Sequence, residues 1–127
     1  MVCLGYSERG LDEGNGLVRY DAAVCLSGDG ILGRHRKVHL PAGIAPLFAA
    51  GDGFRAFDTP VGRMGLLIDH DKTFPEAARA LAVDGAEILA CLSAWPTLPN
   101  GDPGITNSRT QRRFLTCWSR SVAPAGG

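Results

Sequence analysis

The stretch GLLIDHDKTFPEAARALAVDGAEILACLSAW, Gly65 to Trp95, constrains the fold more than any other part of the chain. GLLI closes an apolar run of strand length, bounded by a charged turn. Thr73 to Glu76 (TFPE) predicts a helix start in which Thr73 caps, Pro75 fits the first turn and Glu76 reaches back to the cap's N–H. Ala77, Ala78, Leu81 and Ala82 make a narrow stripe of small apolar side chains suited to close packing on a sheet. Gly85 can end the helix. Ala86 to Leu92, apolar except for Glu87, reads as a second strand buried on both faces. Strand, helix and strand in this order imply a crossover between parallel strands, so the class is α/β. The turn between the first strand and the helix is where such a unit presents reactive groups, and here it holds Asp69, His70 and Asp71.

Upstream, Val2 to Tyr6 reads as a strand, Ser7 to Gly16 as a turn-rich segment and Leu17 to Leu26 as a strand. Ser27-Gly28-Asp29-Gly30 is a hairpin turn, and Ile31-Leu32-Gly33 begins the return strand. Arg34 to Pro41 (RHRKVHLP) follows, then a loop rich in Ala, Gly and Pro as far as Gly53. Phe54 to Asp58 and Val61 to Ile68 give two more strands, joined at Thr59-Pro60. After Trp95 the chain turns to loop, then a polar helical pattern from Ile105 to Trp118, then a tail over 119–127 without core-forming residues.

With 127 residues the chain suits one domain, and 13 basic against 13 acidic residues leave no net charge to attract nucleic acid or an anionic membrane. Neither is therefore expected as a partner. No apolar run approaches the roughly 20 residues of a membrane helix, and the first residues carry no secretory signal, so a cytoplasmic protein is expected. Cys3, Cys25, Cys91 and Cys117 form no CxxC pair, which argues against zinc. The first three lie in apolar strand-like runs and read as reduced, buried thiols.

Three stretches together resemble the carbon–nitrogen hydrolase (nitrilase) superfamily: YDAAVCLSGDGILGRHRKVHLP, Tyr20 to Pro41; FDTPVGRMGLLIDHD, Phe57 to Asp71; and KTFPEAARALAVDGAEILACLSAWP, Lys72 to Pro96. The resemblance implies a four-layer αββα sandwich, of which residues 1–118 would be a part clipped at both ends. It implies hydrolysis of non-peptide C–N bonds in amides, N-carbamoyl amines or nitriles, by a Glu, Lys and Cys site needing neither metal nor organic cofactor. The thiol would attack the carbonyl or nitrile carbon, Glu would move the proton, and Lys would steady the tetrahedral charge.

Residue by residue, the family lysine falls on Lys37 of RKVHL. The G-x-x-I-C-x-D pattern falls on Gly65, Ile68, position 69 and Asp71, and position 69 is Asp69 rather than cysteine. The first family glutamate belongs to a segment preceding Val2. A second, supporting glutamate has no counterpart in Ala42 to Asp52, where Ile44 is nearest. The resemblance puts His70, Asp71 and Trp95 around the site as substrate-binding or supporting residues, and it puts Lys37 beside Asp69 as an ion pair. Asp69 as a substitute nucleophile is the weaker reading, because the general base is missing and a carboxylate ion-paired to lysine attacks poorly. Arg34, Arg36 and Lys37 read as a solvated hairpin end plus the family lysine rather than as a phosphate site. Ser93 lacks the G-x-S-x-G elbow of a serine hydrolase. The expectation is a family polypeptide that has lost hydrolytic activity. The alternatives are a non-catalytic member binding a ligand or partner, as a homo- or hetero-oligomer, and the remnant of a disrupted hydrolase gene.

Overall fold

The computed structural model describes residues 1–93. Trp95, Cys117, the expected Ile105 to Trp118 helix and the tail lie outside them. Two three-stranded sheets face each other. The first has the order β1 (Val2–Leu11), β2 (Leu17–Ser27), β3 (Gly30–Arg36), all antiparallel. The second has the order β4 (Ala56–Thr59), β5 (Gly62–Ile68), β6 (Ile88–Leu92). Here β4 and β5 are antiparallel, while β5 and β6 are parallel and joined through α1 (Pro75–Val83), the expected crossover unit.

Alternation along the strands explains the layering. Ala23 and Cys25 of β2 point inward against Met64, Leu66 and Ile68 of β5, and Cys3, Leu32, Phe57, Ile88, Ala90 and Leu92 close around them. Leu67 points the other way, onto Ala77 and Leu81 of α1. The small stripe on the helix therefore does what its composition suggested. A Cβ on Gly65 would stand 2.7 Å from both Leu81 methyl carbons, so glycine permits the close approach of helix to sheet. The result is part of an α/β sandwich, sheet on sheet with a helix outside the second.

Several expectations need correction. The first strand does not stop at Tyr6. It runs to Leu11, and the turn is confined to 12–16, where the Asp12 carboxylate accepts the N–H groups of Gly14 and Gly16 at 3.0 and 2.6 Å. The fourth strand begins at Ala56 rather than Phe54, whose ring stacks on His35 and His39 instead. Thr73 is not the helix cap. Proline disfavours the helical region for the residue before it, so Phe74 is extended (φ −103°, ψ 114°) and takes the cap position without a side-chain bond. Thr73 closes a 3-10 turn over Asp69–Thr73, donating its hydroxyl to the His70 carbonyl at 2.8 Å. The last strand is half-buried, and Cys91 is exposed rather than buried, with its sulfur 3.3 Å from the Ser93 hydroxyl.

Leu81 is fully buried, whereas Val83, two residues along the same helix, is 73% exposed. Leu81→Ala is expected to lower unfolding stability by about 2–5 kcal/mol, and Val83→Ala by less than about 0.5 kcal/mol. Urea unfolding of both variants checks the helix-to-sheet packing.

Candidate active site

Asp71 is the most connected side chain in the turn after β5, and it is fully buried. Its Oδ2 meets His35 Nε2 at 2.9 Å and accepts the Ile68 N–H at 3.2 Å. Its Oδ1 accepts the Val38 and His39 N–H groups at 3.1 and 2.8 Å and lies 3.2 Å from His39 Nδ1. One carboxylate thus ties the end of β5 to the end of β3 and the segment after it. The His39 ring stacks on Phe74 with centroids 3.9 Å apart, and His35 stacks on Phe54 at 5.2 Å, which fixes both imidazoles.

That tie sets where Lys37 lies. Asp71 holds Val38 and His39, so the residue just before them is drawn inward. Lys37 is only 2% exposed, and its ammonium meets the Asp69 and Asp21 carboxylates, each at 3.2 Å. Its backbone is pinned on both sides: its N–H donates to the Asp21 carbonyl at 2.8 Å, and its carbonyl accepts the Gly51 N–H at 2.9 Å. A buried ammonium is tolerated only when it is paired and hydrogen-bonded. Here both partner carboxylates keep a window to solvent, Asp69 at 26% and Asp21 at 31% side-chain exposure.

Asp69 follows β5 directly and has φ 46°. This left-handed conformation is uncommon for residues with a Cβ, and Asp and Asn tolerate it better than most. Its Oδ2 holds Lys37, while its Oδ1 is buried without a hydrogen-bond partner among the described residues. Leaving such an oxygen unsatisfied costs about 1–3 kcal/mol, and strain with unsatisfied polarity in one turn is characteristic of functional sites.

Of the residues singled out from sequence, Lys37 and Asp69 come together. Asp71 is the structural tie of the same turn, bonded to His35, Val38, His39 and Ile68. His70 is half-buried at the turn, edge-on to Phe74 with centroids 5.2 Å apart, and its Nδ1 is 3.5 Å from the Thr73 hydroxyl. Sequence reasoning missed Asp21, His35 and His39. Asp21 lies in the strand feeding the hairpin that carries Lys37, but its pairing depends on a register shift between Cys25 and Leu26 that no residue pattern announces.

Known proteins resemble this chain in sequence and in fold. The sequence model of the carbon-nitrogen hydrolase family matches residues 1–114. A nitrilase of Pyrococcus abyssi is 41% identical over 86 residues, 67% of this chain and 33% of that protein. An N-carbamoylputrescine amidase of Solanum tuberosum is 38% identical over 102 residues, 76% of this chain and 34% of that protein. The crystal structure of a carbon-nitrogen hydrolase from Helicobacter pylori superimposes with a TM-score of 0.68 at 34% identity, covering 94% of this chain and 40% of that one. The chain belongs to the carbon–nitrogen hydrolase family. It spans about a third of the length of the curated relatives it matches.

Burial alone would raise the Asp71 pKa. The hydrogen bonds from His35, the His39 backbone and the Ile68 backbone, with the charge interaction with His35, outweigh it and hold Asp71 below the ordinary 3.8. A carboxylate depressed in the fold binds its proton more readily when unfolded. Its contribution is therefore fully present above roughly pH 5 and is lost as pH falls through the folded value. We expect stability to drop steeply below about pH 4, and the drop to be shallower in Asp71→Asn, which starts from a lower plateau at neutral pH. Denaturant midpoints from pH 7 to pH 3 check this, and parallel slopes for the two proteins would contradict it.

Proposed function

We propose that this chain is a carbon–nitrogen hydrolase family protein without hydrolytic turnover, its nucleophile position filled by Asp69 and its surviving family lysine neutralised. The observation that carries this reading is the 3.2 Å contact between the Lys37 ammonium and the Asp69 carboxylate. In the family chemistry the lysine stabilises charge developing on the substrate oxygen next to the attacking thiol. Here a permanent carboxylate sits in that place. It meets the cation before any substrate does, and as an ion-paired oxygen it is a weak nucleophile. Asp21 holds the same ammonium from another side. The site residues available are Lys37, Asp69 and Asp21, with His70 at the rim; none of them is a thiol.

The substrate class of a restored site would be amides, N-carbamoyl amines or nitriles, in keeping with a nitrilase and an N-carbamoylputrescine amidase among the relatives. Purified protein assayed with a panel of these compounds and ammonia detection is expected to give no rate above background. Turnover that Asp69→Ala abolishes would overturn the proposal.

Asp69→Cys puts a thiol next to Lys37. A neighbouring cation lowers a thiol's pKa, so the introduced thiol is expected to alkylate faster than an ordinary cysteine, and Lys37→Met in the same background is expected to slow it. Steady-state turnover is expected to stay low, because a placed general base contributes about 10²–10⁴-fold. Alkylation indifferent to Lys37→Met would show that the two side chains do not face each other in solution.

A further inference from the structure

The two sheets enclose a second chemical feature, independent of Lys37 and Asp69. Cys3 of β1 and Cys25 of β2 are direct cross-strand partners in an antiparallel register that runs unbroken from Val2↔Leu26 to Leu11↔Leu17. Both are free thiols. Cross-strand pairs come in two kinds, and the kind decides whether two cysteines can be bridged. The Lys37 N–H donates to the Asp21 carbonyl, so Asp21 turns its peptide groups toward β3. Strand residues alternate in the direction of their peptide groups, so Ala23 and Cys25 also turn theirs toward β3, and Ala22, Val24 and Leu26 turn theirs toward β1. Cys3↔Cys25 is therefore a non-hydrogen-bonded pair, the narrow kind, with Cα atoms about 4.5 Å apart. That separation lies within the range of roughly 4.4–6.8 Å that a disulfide spans.

The side chains meet as the register requires. Cys3 packs against the buried cluster that holds Cys25, and its Sγ lies 3.9 Å from Met64 Sδ in β5. Cys25 is fully buried, while Cys3 is half-buried on β1, an edge strand among the described residues. One thiol is partly open to solvent and the other is shielded from it.

We propose that Cys3 and Cys25 are an entry and a resolving thiol, which low-molecular-weight disulfides convert into a cross-strand disulfide fastening the edge strand β1 to β2. The Cys3 thiolate attacks one sulfur of the small disulfide and expels one thiolate, leaving a mixed disulfide. The Cys25 thiolate then attacks the Cys3 sulfur and expels the second. The two cysteines lose two electrons and two protons, the small disulfide is reduced to two thiols, and no other reagent is needed. Burial first, and the neighbouring Cys25 second, push the Cys3 thiol up to about 11. Exchange is accordingly slow at neutral pH, because the thiolate is the attacking form. Once formed, the bridge closes a loop from Cys3 to Cys25 and removes chain entropy from the unfolded state.

The test is to equilibrate the full chain at pH 9 in glutathione buffers of increasing oxidised-to-reduced ratio, digest without reduction and map the cysteines by mass spectrometry. The Cys91→Ser/Cys117→Ser variant runs in parallel, keeping the pair and removing the other thiols. We expect a Cys3–Cys25 linked peptide in both proteins. We also expect a midpoint of thermal unfolding higher by on the order of 5–10 °C in the oxidised form, returning to the starting value with dithiothreitol. Cys25→Ala is expected to hold glutathione on Cys3 as a stable mixed disulfide. If fully oxidised glutathione leaves Cys3 and Cys25 as separate thiols, or links them only to Cys91 or Cys117, the proposal is wrong. A linked peptide without a rise in the unfolding midpoint would equally overturn it, since the bridge would then not fasten a native pair.

Discussion

The site depends on a single buried carboxylate. Asp71 receives the backbone N–H groups of Ile68, Val38 and His39 and the imidazole of His35, all within 3.2 Å. Four donors on one carboxylate offset the desolvation that would otherwise make a buried charge prohibitive. They also join two sheets that share no strand: His35 belongs to the first sheet and Ile68 to the second. The inter-sheet apolar core holds the layers together without direction, while these bonds fix the layers in one orientation at the end where the site lies. Removing the carboxylate would leave several buried donors unsatisfied at once, which is the costly way to lose a hydrogen bond.

Lys37 and Asp69 are both consequences of that tie. Lys37 immediately precedes the two residues whose N–H groups Asp71 binds, and Asp69 stands two residues before Asp71 in the tight turn. The turn imposes a left-handed conformation on Asp69 that few side chains accept well, and aspartate is one of them. On our reading this makes the substitution structurally easy. The family's catalytic turn is retained, the new side chain suits its backbone, and the resident ammonium meets the new charge. The proposed loss of chemistry follows from the same pair, since the cation that would stabilise a developing oxyanion meets Asp69 instead.

The parts legible in sequence were those governed by local pattern. The alternation and apolar runs of β2 and β5, the small-residue stripe of α1 and the Gly85 stop all read correctly because burial dictates them directly. The cap failed because two local signals competed: Thr73 has cap chemistry, but Pro75 forces Phe74 out of the helix and moves the boundary by one residue. Cys91 failed because apolar neighbours along a strand do not say which face is covered. Asp21 was invisible for a subtler reason. Counting back from the Ser27↔Gly30 hairpin puts Asp21 opposite Arg36, but a register shift between Cys25 and Leu26 moves every later pair by one. Ala22 then faces Arg36, and Asp21 bonds to Lys37. A one-residue shift reverses which side chains face inward, so this bulge decides that Lys37 rather than Arg36 enters the site, and no residue pattern announces it.

The central claim is that the Lys37 ammonium is held by Asp69 rather than free to act. A double-mutant cycle on unfolding free energy, with Lys37→Met, Asp69→Asn and the pair combined, isolates that interaction from the packing and strain terms each substitution also carries. We expect a favourable coupling of about 1–3 kcal/mol between the two side chains at neutral pH. Additivity within about 0.3 kcal/mol would contradict the account, since Lys37 would then be held by Asp21 and the fold alone and would remain available for chemistry.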